Sequence, residues 1–139
     1  MKTFLFALLG MLFWGIAPIF GKIGLTQVNP NIALTMRSVI ITTILLAWLL
    51  LTGQVGSLAV ATPKSWLFIG LEGICASLLG HLAYYYALKF GEVSQINPIM
   101  SGFPIITVVL ATLLLGEKLT LPKIAGAMLI VLGVSIIKL

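Results

Sequence analysis

Apolar residues in this chain of 139 arrive in five long blocks, parted by short polar or Gly/Pro-bearing breaks. The blocks run over about residues 3–25, 32–51, 66–88, 93–115 and 119–137. Each is ~20 residues long, enough to cross a hydrocarbon core of ~30 Å as a helix. The breaks have turn chemistry: Asn29-Pro30, the stretch 52–65 with Gly53, Gly56 and Pro63, Lys89–Glu92, and Gly116-Glu117-Lys118. The middle of 52–65, Val55–Ala61, is itself apolar and suits the membrane interface. The expectation is an all-α integral membrane protein of five transmembrane helices, a single domain over 1–139 with no internal repeat. Lys2 before an apolar run resembles a signal peptide, but that run is too long and lacks a cleavage site, so a retained helix is expected.

The third block, Trp66–Leu88, is the one the others are arranged around. It carries Glu72, the only acid outside the loops, and His81, the only histidine. At about 100° per residue, Gly73, Ser77, Gly80, Tyr84 and Ala87 share one narrow sector, a small and polar stripe that suits protein or water rather than lipid. Glu72 lies just past one edge of it and His81 further past the other. An acid inside a membrane helix costs ~2.5–3.5 kcal/mol on insertion scales, which makes it a candidate functional site.

Composition confirms the class. The chain is 60% hydrophobic and only 8% charged, with a mean hydropathy of +1.22. A soluble domain carries roughly 25% charged residues, so too little charge is present to cover a water-facing surface. The net charge of +5 is scattered in ones and twos, and no basic run reads as a nucleic-acid patch. Cys75 has no intrachain disulfide partner and reads as a packing residue. With five spans the termini lie on opposite sides. Lys2, Lys64, Lys118 and Lys123 then face Lys22, Arg37, Lys89 and Lys138 across the membrane, a tie under the positive-inside rule. Such a tie suits either weak single-topology bias or insertion in both orientations.

Five pieces of the chain, in order, resemble one family. Trp14-Gly15, Lys22, Pro30 and Arg37 are similar to the first two helices of the EamA repeat of the drug/metabolite transporter superfamily. Tyr85-Tyr86-Ala87-Leu88 resembles the end of its third helix. Pro104, Leu115-Gly116-Glu117-Lys118-Leu119-Thr120, Gly126 and Leu132-Gly133-Val134 resemble its fourth and fifth. Typical members carry two such repeats and ten helices, and this chain carries one. The resemblance implies a secondary transporter of a small polar or amphipathic metabolite in the plasma membrane, working by alternating access. Fusing two odd-span repeats inverts the second. The unfused equivalent is an antiparallel homodimer, with a half-transporter subunit serving a second membrane protein as the alternative.

Candidate pathway residues are Trp14, Arg37, Glu72, Tyr84, Asn97 and Ser101. Glu72 could exchange a proton for solute, or hydrogen-bond to a neighbouring helix. His81 could relay protons with it, or be a packed histidine. Arg37 either holds a substrate anion, pairs with Glu92, or snorkels to headgroups. Trp14, on a small-residue face, could wall a pocket and stack on a cation. Tyr85 and Tyr86 suit the interfacial aromatic belt. In the fourth block, Pro98 and Pro104 deprive the carbonyls of Ser94 and Met100 of partners and offer helix flexing. Gly73, Gly80, Gly126 and Gly133 are expected to pack helices. No catalytic constellation, metal-ligand cluster or phosphate loop is present, so no enzyme, metal or cofactor is expected. The expected partners are the solute, membrane lipids and a second copy of the chain, with no nucleic acid.

Overall fold

The computed structural model describes residues 2–137; Lys138, one of the basic residues in the charge comparison, lies outside the described residues. Their regular structure is entirely helical. α1 spans Lys2–Gly24, α2 Pro30–Leu51 and the short α3 Val55–Val60. The third span is composite: α4 (Pro63–Glu72), a π-helical segment (Gly73–Gly80) and α5 (His81–Phe90). The fourth is broken into α6 (Val93–Met100) and α7 (Phe103–Leu115), and α8 covers Leu121–Ile137. Four stretches are long and apolar enough to cross a membrane: Lys2–Gly24, Pro30–Leu51, Pro63–Phe90 and Val93–Leu115. The shorter α8, with 17 residues, reaches ~26 Å, the low end of the spanning range.

Local chemistry sets the helix ends. Pro30 and Pro63 sit in the first turn of α2 and α4, where a missing N–H costs nothing. The Asn29 side chain accepts from the N–H of Asn31 at 3.0 Å, and Thr62 Oγ1 from that of Ser65 at 3.2 Å. Thr62 is why the third span begins at Pro63 rather than at Trp66, where its apolar run starts. At the end of α2, Gly53 adopts φ +68° and the Gln54 N–H reaches back to the Leu49 carbonyl at 2.9 Å. Gly116 ends α7 the same way, at φ +66°. Both are left-handed positions that glycine occupies without strain.

The chain forms two compact units. One holds Ile19–Phe90, and its tightest point is where α1 and α5 end side by side. Lys22 of α1 donates to the Leu88 carbonyl at 2.6 Å. Lys89 of α5 donates in return to the carbonyls of Leu25 at 2.6 Å and Val28 at 3.2 Å. Each helix thus caps the other's C-terminus with an ammonium, satisfying end carbonyls and countering the negative end of the dipole. Leu25 and Leu88 are sealed inside this clasp, at 2% and 0% exposure, with Leu34 of α2 at 5%. A Cβ at Gly21 would come to 3.5 Å of Leu88, so the small residue lets α1 approach. Tyr86 of α5 also donates to Asn31 Oδ1 of α2, at 3.4 Å.

The other unit comprises the chain up to Pro18 and from Gly91 onward. Here α6 and α7 pack against α8. Lys123 of α8 bridges to Glu117 at 2.9 Å and donates to the Lys118 carbonyl at 3.3 Å, fixing the turn after α7. Large apolar side chains elsewhere stay exposed, among them Phe13, Leu113 and Leu132. In a hydrocarbon setting an exposed apolar side chain needs no core.

Lys22→Met or Lys89→Met removes a charge-assisted bond and opens a helix-end carbonyl. Each is expected to lower stability by about 1–3 kcal/mol. Thermal unfolding in detergent measures this. If the two bonds act as one unit, the double variant costs clearly less than the sum of the singles; an unchanged Tm in both singles would show that the clasp carries no stability.

Candidate functional site

Glu72 closes α4, nine residues after Pro63 and so ~14 Å from that end of the span, near mid-membrane depth. It is exposed and makes no hydrogen bond or ion pair among the described residues. A carboxylate there, with hydrocarbon as the alternative surroundings, needs water, a solute cation or another chain beside it. The eight residues that follow, GICASLLG, wind as a π-helix. The stripe read at a constant 100° per residue therefore fails across this segment, because a bond to the fifth residue back turns the chain less per residue. Positions before and after it keep an α phase only among themselves.

His81 opens α5. Its Nδ1 lies 2.8 Å from the Ala76 carbonyl. That oxygen can only accept, so Nδ1 carries a proton, and in the neutral ring Nε2 is left as the acceptor. The imidazole meets the rings of Tyr84 and Tyr85 edge-on, both with centroids at 6.5 Å. Tyr84 and Tyr85 stand 6.3 Å apart. The structure thus joins His81 and Tyr84, which the helical wheel set apart, and adds Tyr85 to them. Glu72 and His81 sit at opposite ends of the π segment with no hydrogen bond between them. Arg37, half-buried on α2 about 10 Å from its start, carries no ion pair or hydrogen bond among the described residues.

In the other unit the expected continuous fourth helix is interrupted at Ser101-Gly102. Pro98 lies inside α6, and Pro104 sits in the first turn of α7. Around the break the bonds tighten to three residues back, Gly102 N–H to Ile99 O and Ile105 N–H to Gly102 O, both 3.1 Å. Pro104 has no N–H to offer Met100 O, so the break presents bare backbone near the middle of the span. Ser101 spends its hydroxyl on the Asn97 carbonyl at 2.8 Å. Asn97 is half-buried. Trp14 of α1 stands edge-on to Phe103 at 6.5 Å, giving this unit an aromatic wall beside the break.

A Cβ at Gly73, Gly126 or Gly133 would meet nothing within 4 Å, so the space beside these glycines is open. Gly80 differs: its Cβ would come to 3.1 Å of the Cys75 carbonyl. Sequence reasoning did not single out Asn31 or Phe103. Asn31 had a signal, a polar residue beside the Asn29-Pro30 turn and five places after Thr26. Phe103 had only its position before Pro104, since its role depends on where the break falls.

The family description that matches residues 1–139 is the EamA-like transporter family. The chain is 32% identical over 127 residues to an uncharacterized transporter of a Sinorhizobium species, covering 91% of this chain and 89% of that one. It is 30% identical over 132 residues to a protein of Methanocaldococcus jannaschii, covering 95% and 93%. It is also 30% identical over 135 residues to the riboflavin transporter of Fusobacterium nucleatum, covering 97% of this chain and 44% of that one. No solved structure matches the chain.

Pro104→Ala returns an N–H that can close onto Met100 O and let α6 and α7 join. The expected outcome is a variant as stable as the parent or more so, by up to ~1 kcal/mol. Thermal unfolding in detergent decides it: a clear loss of stability would show that the break is held by something other than the missing N–H.

Proposed function

Since this chain belongs to the EamA-like transporter family, making it a multi-pass membrane transporter that in a bacterium sits in the plasma membrane, we propose that it exchanges protons for a small polar or amphipathic solute at Glu72. One observation supports this above the others: an acid at mid-membrane depth with no partner among the described residues. In the proposed exchange, that carboxylate is the group at which proton and cationic solute would alternate. His81, with Nε2 as acceptor, would pass the proton on, and Tyr84 would line the path. Arg37 in the same unit, and Trp14, Asn97 and Ser101 in the other unit, are further residues proposed to face solute, with Pro98 and Pro104 proposed to give the fourth span its bend.

The working form is an antiparallel homodimer. The relative lengths favour it: the Sinorhizobium relative is also of single-repeat size, whereas the chain spans under half of the Fusobacterium riboflavin transporter. Two copies inserted in opposite senses would supply the ten helices of the larger protein. The tied charge count permits both insertions. Riboflavin, taken from that relative's name, is one solute of the proposed class: planar, amphipathic and suited to aromatic walls.

Two measurements test this. Glu72→Gln in proteoliposomes is expected to reduce uptake of riboflavin driven by a pH gradient to the level of empty vesicles; undiminished uptake would remove Glu72 from coupling. A reporter fused to the C-terminus, one active only in the cytoplasm and one only outside, is expected to give activity in both forms. Activity from one form alone would replace the homodimer with a subunit that needs a different partner chain.

A further inference from the structure

The π-helical segment has a physical peculiarity that transport by itself does not require. π-Helices are rare and mostly limited to single-turn bulges at functional sites, yet this one runs for eight residues, Gly73–Gly80. Tertiary packing does not impose it, since Ile74, Leu78 and Leu79 are about half exposed. Two local features hold it. The Ala76 carbonyl receives the backbone N–H of His81, five residues on, and also faces the His81 imidazole Nδ1 at 2.8 Å. Gly80 lacks the Cβ that would lie 3.1 Å from the Cys75 carbonyl, again five residues back. That oxygen is backbone and can give way only by loosening the turn.

A π turn can relax to an α turn without leaving a backbone group bare. Each carbonyl exchanges the N–H five residues on for the one four residues on, so the hydrocarbon penalty is avoided in both states. The relaxation does two things to everything beyond Gly80. It turns the His81–Tyr84–Tyr85 cluster about the helix axis relative to Glu72, and it lengthens the span.

We propose that Gly73–Gly80 is a rotary hinge, in which switching between π and α registers moves the His81–Tyr84–Tyr85 cluster from one side of Glu72 to another, with Gly80 as the positioning residue that keeps the π register open. This rests on the transport reading, for which it supplies the moving part. His81 is the latch: its ring bond to Ala76 O belongs to the π register. Gly80→Ala crowds that register alone, while the α register accommodates alanine readily.

The test is an intrahelix distance by pulsed electron–electron resonance in nanodiscs, on the full chain with Cys75→Ala and spin labels at Leu67→Cys and Ala83→Cys. Labelled chain is diluted with unlabelled chain so that only distances within one copy register. Two populations are expected, with the longer one rising relative to the shorter in Gly80→Ala, because the added Cβ crowds the Cys75 carbonyl only in the π register. Gly73→Ala, where the added Cβ meets nothing, is expected to leave the ratio as it was. Should Gly80→Ala not be recovered folded, the parent chain decides by showing two populations or one. A single distance, the same in the parent and in every recovered variant, overturns the hinge. The readout involves no transport, so a failed hinge and a failed transport reading are seen separately.

Discussion

In hydrocarbon, a backbone N–H or C=O without a partner costs several kcal/mol, and nearly every feature of this chain answers that constraint. Helices satisfy it along their length but leave four carbonyls open at each C-terminus. Lys22 and Lys89 meet it there by exchange, each ammonium serving the other helix's end. The same two bonds settle that α1 and α5 finish together, and they enclose Leu25 and Leu88, the most deeply buried side chains described. A cation and a carbonyl row achieve between helices what an apolar core achieves in a soluble domain, where water drives burial. Lipid offers no such drive between apolar faces.

Where the chain departs from continuous α-helix, the departures fall inside the third and fourth spans. The third keeps its backbone bonded by changing the bond spacing, and Glu72 stands at the boundary of that change. The fourth leaves the Met100 carbonyl, next to Ser101 and Asn97, with no backbone donor across the break among the described residues, because Pro104 cannot donate. Polar backbone and an acid at membrane depth persist only where water, solute or another chain can reach them. That is the physical reason why each place, within its own unit, is a candidate contact for water or solute. Gly126 and Gly133 on α8 lie open as well, which leaves room for a neighbouring helix to approach closely.

The five apolar blocks, the turns between them and the membrane setting follow from sequence, because a helix needs only ~20 apolar residues in a row to span. Asn29, Thr62 and the two prolines after them mark helix starts through purely local bonds, so they too are readable in one dimension. Glu72 and Arg37 stand out for the same reason: charge inside an apolar run is visible without knowing any neighbour. Trp14, Asn97 and Ser101 could be named from residue type, although the hydroxyl of Ser101 turns out to be engaged with its own helix.

What the third dimension decided was hydrogen-bond register. The helical wheel assumes one bond spacing, and Gly73–Gly80 adopts another, so the face shared by Gly73 and Tyr84 on paper is not continuous. The pairing of His81 with Tyr84 and Tyr85, the break at Ser101-Gly102 and the lysine exchange each depend on which carbonyl is nearest a donor. Hydropathy along a chain counts residues, and it determined that this protein crosses the membrane. The choice of carbonyl depends on distances between helices and on turns of the backbone, and only the folded structure fixes those.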